Sequence, residues 1–340
     1  MSRGLGDVYK RQGHLRSTVI GDALVHLLEF VGHEVIRENH IGDWGRPFGM
    51  LIEHLLDIGE DVAAEGMAQG ELDAFYKAAN AKFDGSEEFA DRARERVVLL
   101  QGRDPETMAV WQRLVDMSND YFNRVYRRLD VSLTDDDLMG ESQYEDVMPI
   151  AYQRLVDAGR VEDSEGAEVV FPPGFANRDN EPLPLIVRSS AGAFMYATSD
   201  LACVLDRVER LGADLLLYVV GAPQSQHFQM VFAVAEMGGW LRPPTEAVHV
   251  AFGSVLGDDR KMLRSRSGDA VKLIDLVDGA VDRATAAVAE KNPDLDDETA
   301  AEVARMVGVG AVKYADLSTD RIKDYVFDWD RMLAFDGNTG

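Results

Sequence analysis

A glycine–histidine pair, Gly13-His14, opens a helical pattern and is followed by Arg16, Ser17 and Thr18. Such a start suits phosphate, because the first-turn N–H groups lack partners within the helix and the helix dipole is positive there. Three further polar sets each follow a stretch that reads as a strand: Asn39, His40 and Asp43; Tyr196 with Asp200; Gln224 with His227. Ligands of open α/β sheets bind at such loops. Asp200, in the first turn of a helix, suits either the helix dipole or a cationic substrate group. Tyr196 suits the wall of that pocket or ordinary core. Gln224 suits a guanidinium or a helix cap, and His227 a nucleotide or a structural contact.

The stretch RKMLRSRSG from Arg260 is more specific. It carries Arg260, Lys261, Arg264 and Arg266, four cations within seven residues, in a chain of net charge -25. A basic, Ser- and Gly-rich loop of this kind suits closing over a triphosphate and stabilising charge on departing pyrophosphate. No nucleophile–base–orienter set is present, and adenylation needs none, because the attacking carboxylate belongs to the substrate. His26, His33, His54 and His249 have no partner at metal-ligand spacing and read as structural. No metal site is expected.

The elements that must hold these residues follow from periodicity. Leu15, Val19, Leu24, Leu27, Leu28 and Val31 form a helical stripe closed by Gly32. Glu34, Val35, Ile36 and Arg37 read as a short strand before the polar turn. Residues 50–129 read as helices, with breaks at Gly85 and at Asp104-Pro105, where Asp104 is an N-cap and Pro105 the first helical residue. A helix over 144–158 and a hairpin over 161–171 follow. Leu185-Ile186-Val187 and Phe194-Met195-Tyr196 read as short strands. Leu201, Leu205, Val208 and Leu211 mark a helix. The unbroken apolar run from Leu215 to Val220 reads as a parallel strand buried on both faces. Val248-His249-Val250 reads as another strand. A long helical tail is interrupted at Asn292-Pro293.

The chain has 340 residues, 46% of them hydrophobic and 28% charged, an ordinary globular balance with room for two or three domains. The acidity argues against a sequence-blind nucleic-acid binder but not against a local basic contact with RNA. The acidic runs Asp135-Asp136-Asp137 and 294–298 read as solvated surface. One cysteine, Cys203, excludes an internal disulfide and a cysteine-rich zinc site. There is no apolar run of membrane-spanning length, and cytosol is the expected compartment. Residues 1–12 show neither helical period nor strand alternation and read as an unrelated leader or scar.

Taken together, the motifs resemble the arginyl-tRNA synthetase family of class I aminoacyl-tRNA synthetases. The resemblance rests on GHLRSTVIGD from Gly13, VIRENHIGDWGRPFGMLI from Val35, FMYATSDLA from Phe194 and YVVGAPQSQHF from Tyr218. RKMLRSRSGDAVKL from Arg260 and KDYVFDWDRMLAFDGNTG from Lys323 complete it. It implies an α/β fold: a Rossmann-like parallel sheet with a mostly helical insertion and a helical C-terminal extension. The implied division is a leader (1–12), the first half of the catalytic domain (13–60), the insertion (61–183), the second half with the basic loop (184–280) and the extension (281–340).

The implied activity is ATP- and Mg2+-dependent activation of L-arginine and its transfer to tRNA(Arg), by a cytoplasmic monomer. Gly13 and His14 match the second half of the family's His-x-Gly-His motif. His14, Lys261 and Arg264 are the implied catalytic residues. ATP falls to Gly13, His14, His227, Lys261, Arg264 and Arg266, and arginine to Tyr196, Asp200 and Gln224. Residues 261–268 correspond to the loop written Lys-Met-Ser-Lys in other class I enzymes. The first motif histidine is replaced by the leader, and both terminal domains of the family are missing, so a catalytic-core fragment is expected. Loss of a central strand at the amino end would expose ladder groups and predicts poor solubility or a partly open sheet. The alternatives are a non-catalytic fragment binding at most ATP or arginine, and another adenylyl-transferring α/β enzyme.

Overall fold

The computed structural model describes residues 13–59, 72–190, 192–257 and 273–326, together with Asp328 and Met332. The chain divides into two compact units, residues 1–140 with 253–340, and residues 141–252.

The first unit is mainly helical. Helix α1 (Gly13–Phe30) is followed by α2 (Arg46–Ile58), α3 (Leu72–Gly85), α4 (Glu87–Gln101) and α5 (Pro105–Leu129), and later by α9 (Leu273–Lys291) and α10 (Asp297–Leu317). The breaks are set by local chemistry. The Asp104 carboxylate accepts from Thr107 N at 2.9 Å, with Pro105 at the first helical position, as expected. Asp296, in one of the acidic runs, caps α10 by accepting from Thr299 N at 2.9 Å. The acidic run 135–137 is not all solvated surface: Asp137 is buried and accepts from Thr134 N at 2.7 Å and Arg37 Nε at 3.2 Å.

One core joins the 41–55 stretch to α3, α4 and α5, with Trp44 and Trp111 meeting edge to face at 5.5 Å. Glu53 of α2, buried in that region, accepts from Arg96 Nε at 2.7 Å and Arg92 Nη1 at 3.0 Å. A second core joins Leu15 and Val19 of α1 to Val277 and Ala280 of α9 and Val309 and Val312 of α10. The apolar stripe of α1 is buried only over these first turns, because Leu27, Phe30 and Val31 are exposed. Strands β6 (Val255–Leu256) and β7 (Tyr325–Val326) pair in parallel.

Residues 34–37 do not join a ladder. The main chain there instead reaches the segment after α5, where Asn39 N donates to Asp137 O at 2.7 Å and Met139 N donates to Asn39 O at 3.0 Å. The strand expected at 34–37 is therefore a single bridge at Asn39. The bonded backbone groups are those of Asn39, and they go to a loop rather than to a neighbouring strand.

The second unit holds the hairpin of β1 (Glu162–Ser164) and β2 (Ala167–Val170), extended antiparallel by β3 (Leu185–Arg188). The hairpin turn has Glu165 and Gly166 both at positive φ, 55° and 79°, the handedness that a two-residue hairpin requires. Helix α6 (Met148–Asp157) precedes it, a few residues shorter than expected because residues 141–144 form a 3-10 turn. Phe194 makes only an isolated bridge to Arg188, and Tyr196 opens helix α7 (Tyr196–Glu209). No strand forms at 194–196, because Thr198 N and Ser199 N turn back onto Met195 O, starting the helix there.

Beyond α7, β4 (Leu215–Tyr218) pairs in parallel with β5 (Glu246–His249), and α8 (Ser225–Met237) lies between them in sequence. Leu216 and Tyr218 are buried, whereas Leu215 is exposed. The β4 strand thus alternates one buried face with a more exposed one, rather than being buried on both, and β5 is its sole ladder partner among the described residues. The interior of the unit is built around α7, where Leu201, Val204 and Leu205 are buried with the sole cysteine, Cys203.

Candidate functional site

Tyr196, Asp200 and His227 come together in the second unit. Helix α7 carries Tyr196 and Asp200 one turn apart, so they share a face. The helix start is anchored on the hairpin sheet: Met195 N donates to Val187 O at 3.3 Å and Thr198 Oγ1 donates to the same carbonyl at 2.5 Å. Helix α8 begins at the carboxyl end of the β4–β5 pair, after a turn in which Gln224 N donates to Gly221 O at 3.0 Å. That turn is braced twice. Ala222 N donates to Phe252 O at 2.8 Å, and His249 Nε2 donates to Val220 O at 2.8 Å. His249 thus has the structural role expected of it.

His227, on the first turn of α8, donates through Nε2 to Asp200 Oδ2 at 2.6 Å. The Asp200 carboxylate is 3% exposed, so this partner offsets the cost of burying the charge. The Tyr196 ring lies 5.4 Å from the imidazole, tilted by 42°, and is 43% exposed. An exposed aromatic ring beside a buried carboxylate is a sound receptor for a planar cation, which can stack on the ring and bond the carboxylate. Gln224, half-buried, precedes His227 by one turn on the same connection. Among the described residues no three His, Cys, Asp or Glu side chains gather as metal ligands would.

Gly13 belongs to the first unit, as the first residue of α1, with His14 the second. Lys261, Arg264 and Arg266 lie outside the described residues. Two site-like features escaped the sequence. Arg16, read with Gly13 and His14 as part of a phosphate-holding start, is 0% exposed and pairs with Asp316 at 2.6 Å. No spacing rule could link residues so far apart. Asn39 Nδ2 donates to the hydroxyl of Tyr126 at 3.0 Å, and burial pushes that phenol up to about 12, with the bond from Asn39 opposing.

A family model described as tRNA synthetases class I (R), catalytic domain, matches residues 9–329. An arginine–tRNA ligase of Thermobifida fusca is 57% identical over 328 residues, covering 96% of this chain and 57% of that protein. The arginine–tRNA ligase of Azotobacter vinelandii is 50% identical over 327 residues, covering 96% and 56%. Among solved structures, arginyl-tRNA synthetase from Plasmodium falciparum superposes with a TM-score of 0.79 at 27% identity, covering 97% of this chain and 54% of that one. The arginyl-tRNA synthetase of Thermus thermophilus shares the fold with a TM-score of 0.76 at 22% identity, covering 98% and 60%. The chain thus spans little more than half the length of the curated relatives it matches. No described helix is long and apolar enough to cross a membrane.

Proposed function

We infer the activity from family membership: the chain belongs to the class I arginyl-tRNA synthetases. The protein that carries it activates L-arginine with MgATP and transfers the arginyl group to tRNA(Arg). In the first step an oxygen of the arginine carboxylate bonds to the α-phosphorus, and the bond from that phosphorus to the bridging oxygen breaks to release pyrophosphate. In the second, a hydroxyl of the terminal adenosine of the tRNA attacks the arginyl carbonyl and AMP leaves. Both steps ask the protein for alignment and charge stabilisation rather than for a nucleophile of its own.

The observation that carries this reading is the buried Asp200 carboxylate beside the exposed ring of Tyr196. It supports a pocket in which Asp200, Tyr196 and Gln224 hold the arginine guanidinium. His227 orients the carboxylate from the side assigned to the adenosine. Gly13 and His14, at the positive end of α1, take the ATP phosphates. Lys261, Arg264 and Arg266 neutralise the departing pyrophosphate. In this reading residues 13–60 and 184–280 are the two halves of the catalytic domain. Residues 61–183 are the insertion and 281–340 an extension towards an anticodon-binding domain. The protein works as a cytoplasmic monomer.

The test is arginine-dependent exchange between ATP and pyrophosphate with tRNA present. It is run on this chain and on one extended by the family's amino-terminal segment. Exchange with arginine in either supports the reading, and exchange only with another amino acid overturns it.

A further inference from the structure

We propose that Arg16 is a positioning residue for the nucleotide site: its guanidinium ties the start of α1 to the seam between β6 and β7. The inference rests on the ATP-handling role given above to the start of α1. Arg16 Nε donates to Asp316 Oδ1 at 2.6 Å, and both side chains are fully buried. Arg16 Nη1 donates to the carbonyl of Gly253 at 2.9 Å and to that of Lys323 at 3.1 Å. The guanidinium carbon stands 5.2 Å from the centre of the Tyr325 ring. One side chain therefore joins the first turn of α1, the last turn of α10, the residue two before β6 and the turn before β7.

The seam it grips is tight. Gly253 N donates to Arg321 O at 3.0 Å and Tyr325 N to Ser254 O at 3.1 Å. Ser254 N donates to Asp324 Oδ1 at 2.5 Å. A Cβ at position 253 would lie 2.5 Å from the Lys323 carbonyl, so the segments leading into the two strands approach this closely only with glycine there.

Stability alone is a poor reason for this arrangement. Burial pushes the Asp316 carboxyl up, with Arg16 opposing, and Asp316 Oδ2 and the Tyr325 hydroxyl are buried without hydrogen-bond partners among the described residues. The ion pair by itself gains little over apolar side chains of similar volume, since desolvation cancels much of what buried charges gain from each other. Apolar side chains could not hold two carbonyls from different segments at the fixed angles of a guanidinium fork. Arg16 lies one turn from Gly13, and β6 leads in sequence into the basic stretch from Arg260. The fork thus sets the helix start against the strand that precedes that stretch.

The experiment measures MgATP and arginine binding by calorimetry, with thermal melting, for the wild-type chain and two variants. Arg16→Lys keeps a charge for Asp316 but cannot span both carbonyls. The double variant Arg16→Met with Asp316→Leu keeps the volume and removes both charges. The expected result is a rise in the MgATP Kd of about tenfold or more in both variants, with the arginine Kd changed less than about twofold. The double variant also leaves the Gly253 and Lys323 carbonyls without this donor, so it is expected to fold but melt below wild type. Variants that bind MgATP as wild type does overturn the proposal. So do variants that lose both ligands in step with a lower melting temperature, which would make the pair merely structural. If the double variant does not fold, Arg16→Lys alone decides. A wild-type chain that fails to bind MgATP overturns the ATP reading itself, and the inference with it.

Discussion

His227 Nε2 on α8 sits 2.6 Å from Asp200 Oδ2 on α7, so two helices that follow different strands meet at one buried carboxylate. The charge of Asp200 is what a guanidinium would read. Asp200→Asn keeps the shape and a donor–acceptor pair but removes that charge. A hydrogen bond to a charged group contributes about 1.5–3 kcal/mol. Arginine binding should therefore weaken on the order of 10- to 100-fold, well beyond any change in MgATP binding, which Asp200 reaches only through His227. Titration calorimetry with each ligand checks it, and equal losses for both would return Asp200 to complementing the helix dipole.

Trp111 Nε1 donates to the Asp43 carbonyl at 2.7 Å in the buried helical core. Trp111→Phe keeps an aromatic ring and leaves that carbonyl without this donor. A loss of about 1–3 kcal/mol in unfolding free energy is expected, read from urea midpoints.

Gly253→Ala drives a methyl group into the Lys323 carbonyl. The backbone on one side of the seam must shift, at a cost of about 1–3 kcal/mol. Thermal melting reads the loss. An alanine variant as stable as wild type would mean that the seam yields freely.

The Asp57 carboxyl is held below its ordinary value of 3.8, first by the hydrogen bond from Lys82 and then by those from Arg92. A lowered folded-state value stabilises the protein above pH 3.8, and this contribution is lost as pH falls through the folded-state value. Asp57→Asn should flatten the fall of melting temperature with pH below that point, and leave its slope near neutrality unchanged.

What the sequence made legible follows range. Helix ends at Asp104-Pro105 and Asn292-Pro293 depend on residues one turn away, so they could be read directly. The hairpin over 162–170 has its own turn signal in Glu165-Gly166. The 34–37 segment and the run ending in Tyr196 looked like strands because each is a short extended run, yet strand formation requires a neighbour that local pattern cannot supply. Asp137 looked like solvated acid until the fold brought Arg37 to it. Arg16 looked like a ligand for phosphate because it follows Gly13-His14, but its partner Asp316 is 300 positions away. In the second unit Tyr196 with Asp200, and Gln224 with His227, read as two sets following different strands. Their meeting depends on the packing of α7 on α8.

Cys203 lies three residues beyond Asp200 on α7, buried, and is the only thiol in the chain. An alkylating reagent can reach it only when that helix separates from its surroundings. The rate of its labelling therefore clocks the breathing of the second unit from a single atom, without a probe having to be installed. A ligand that seats on Asp200 would slow that clock, so chemical footprinting of one sulfur can follow occupancy of the pocket independently of any turnover.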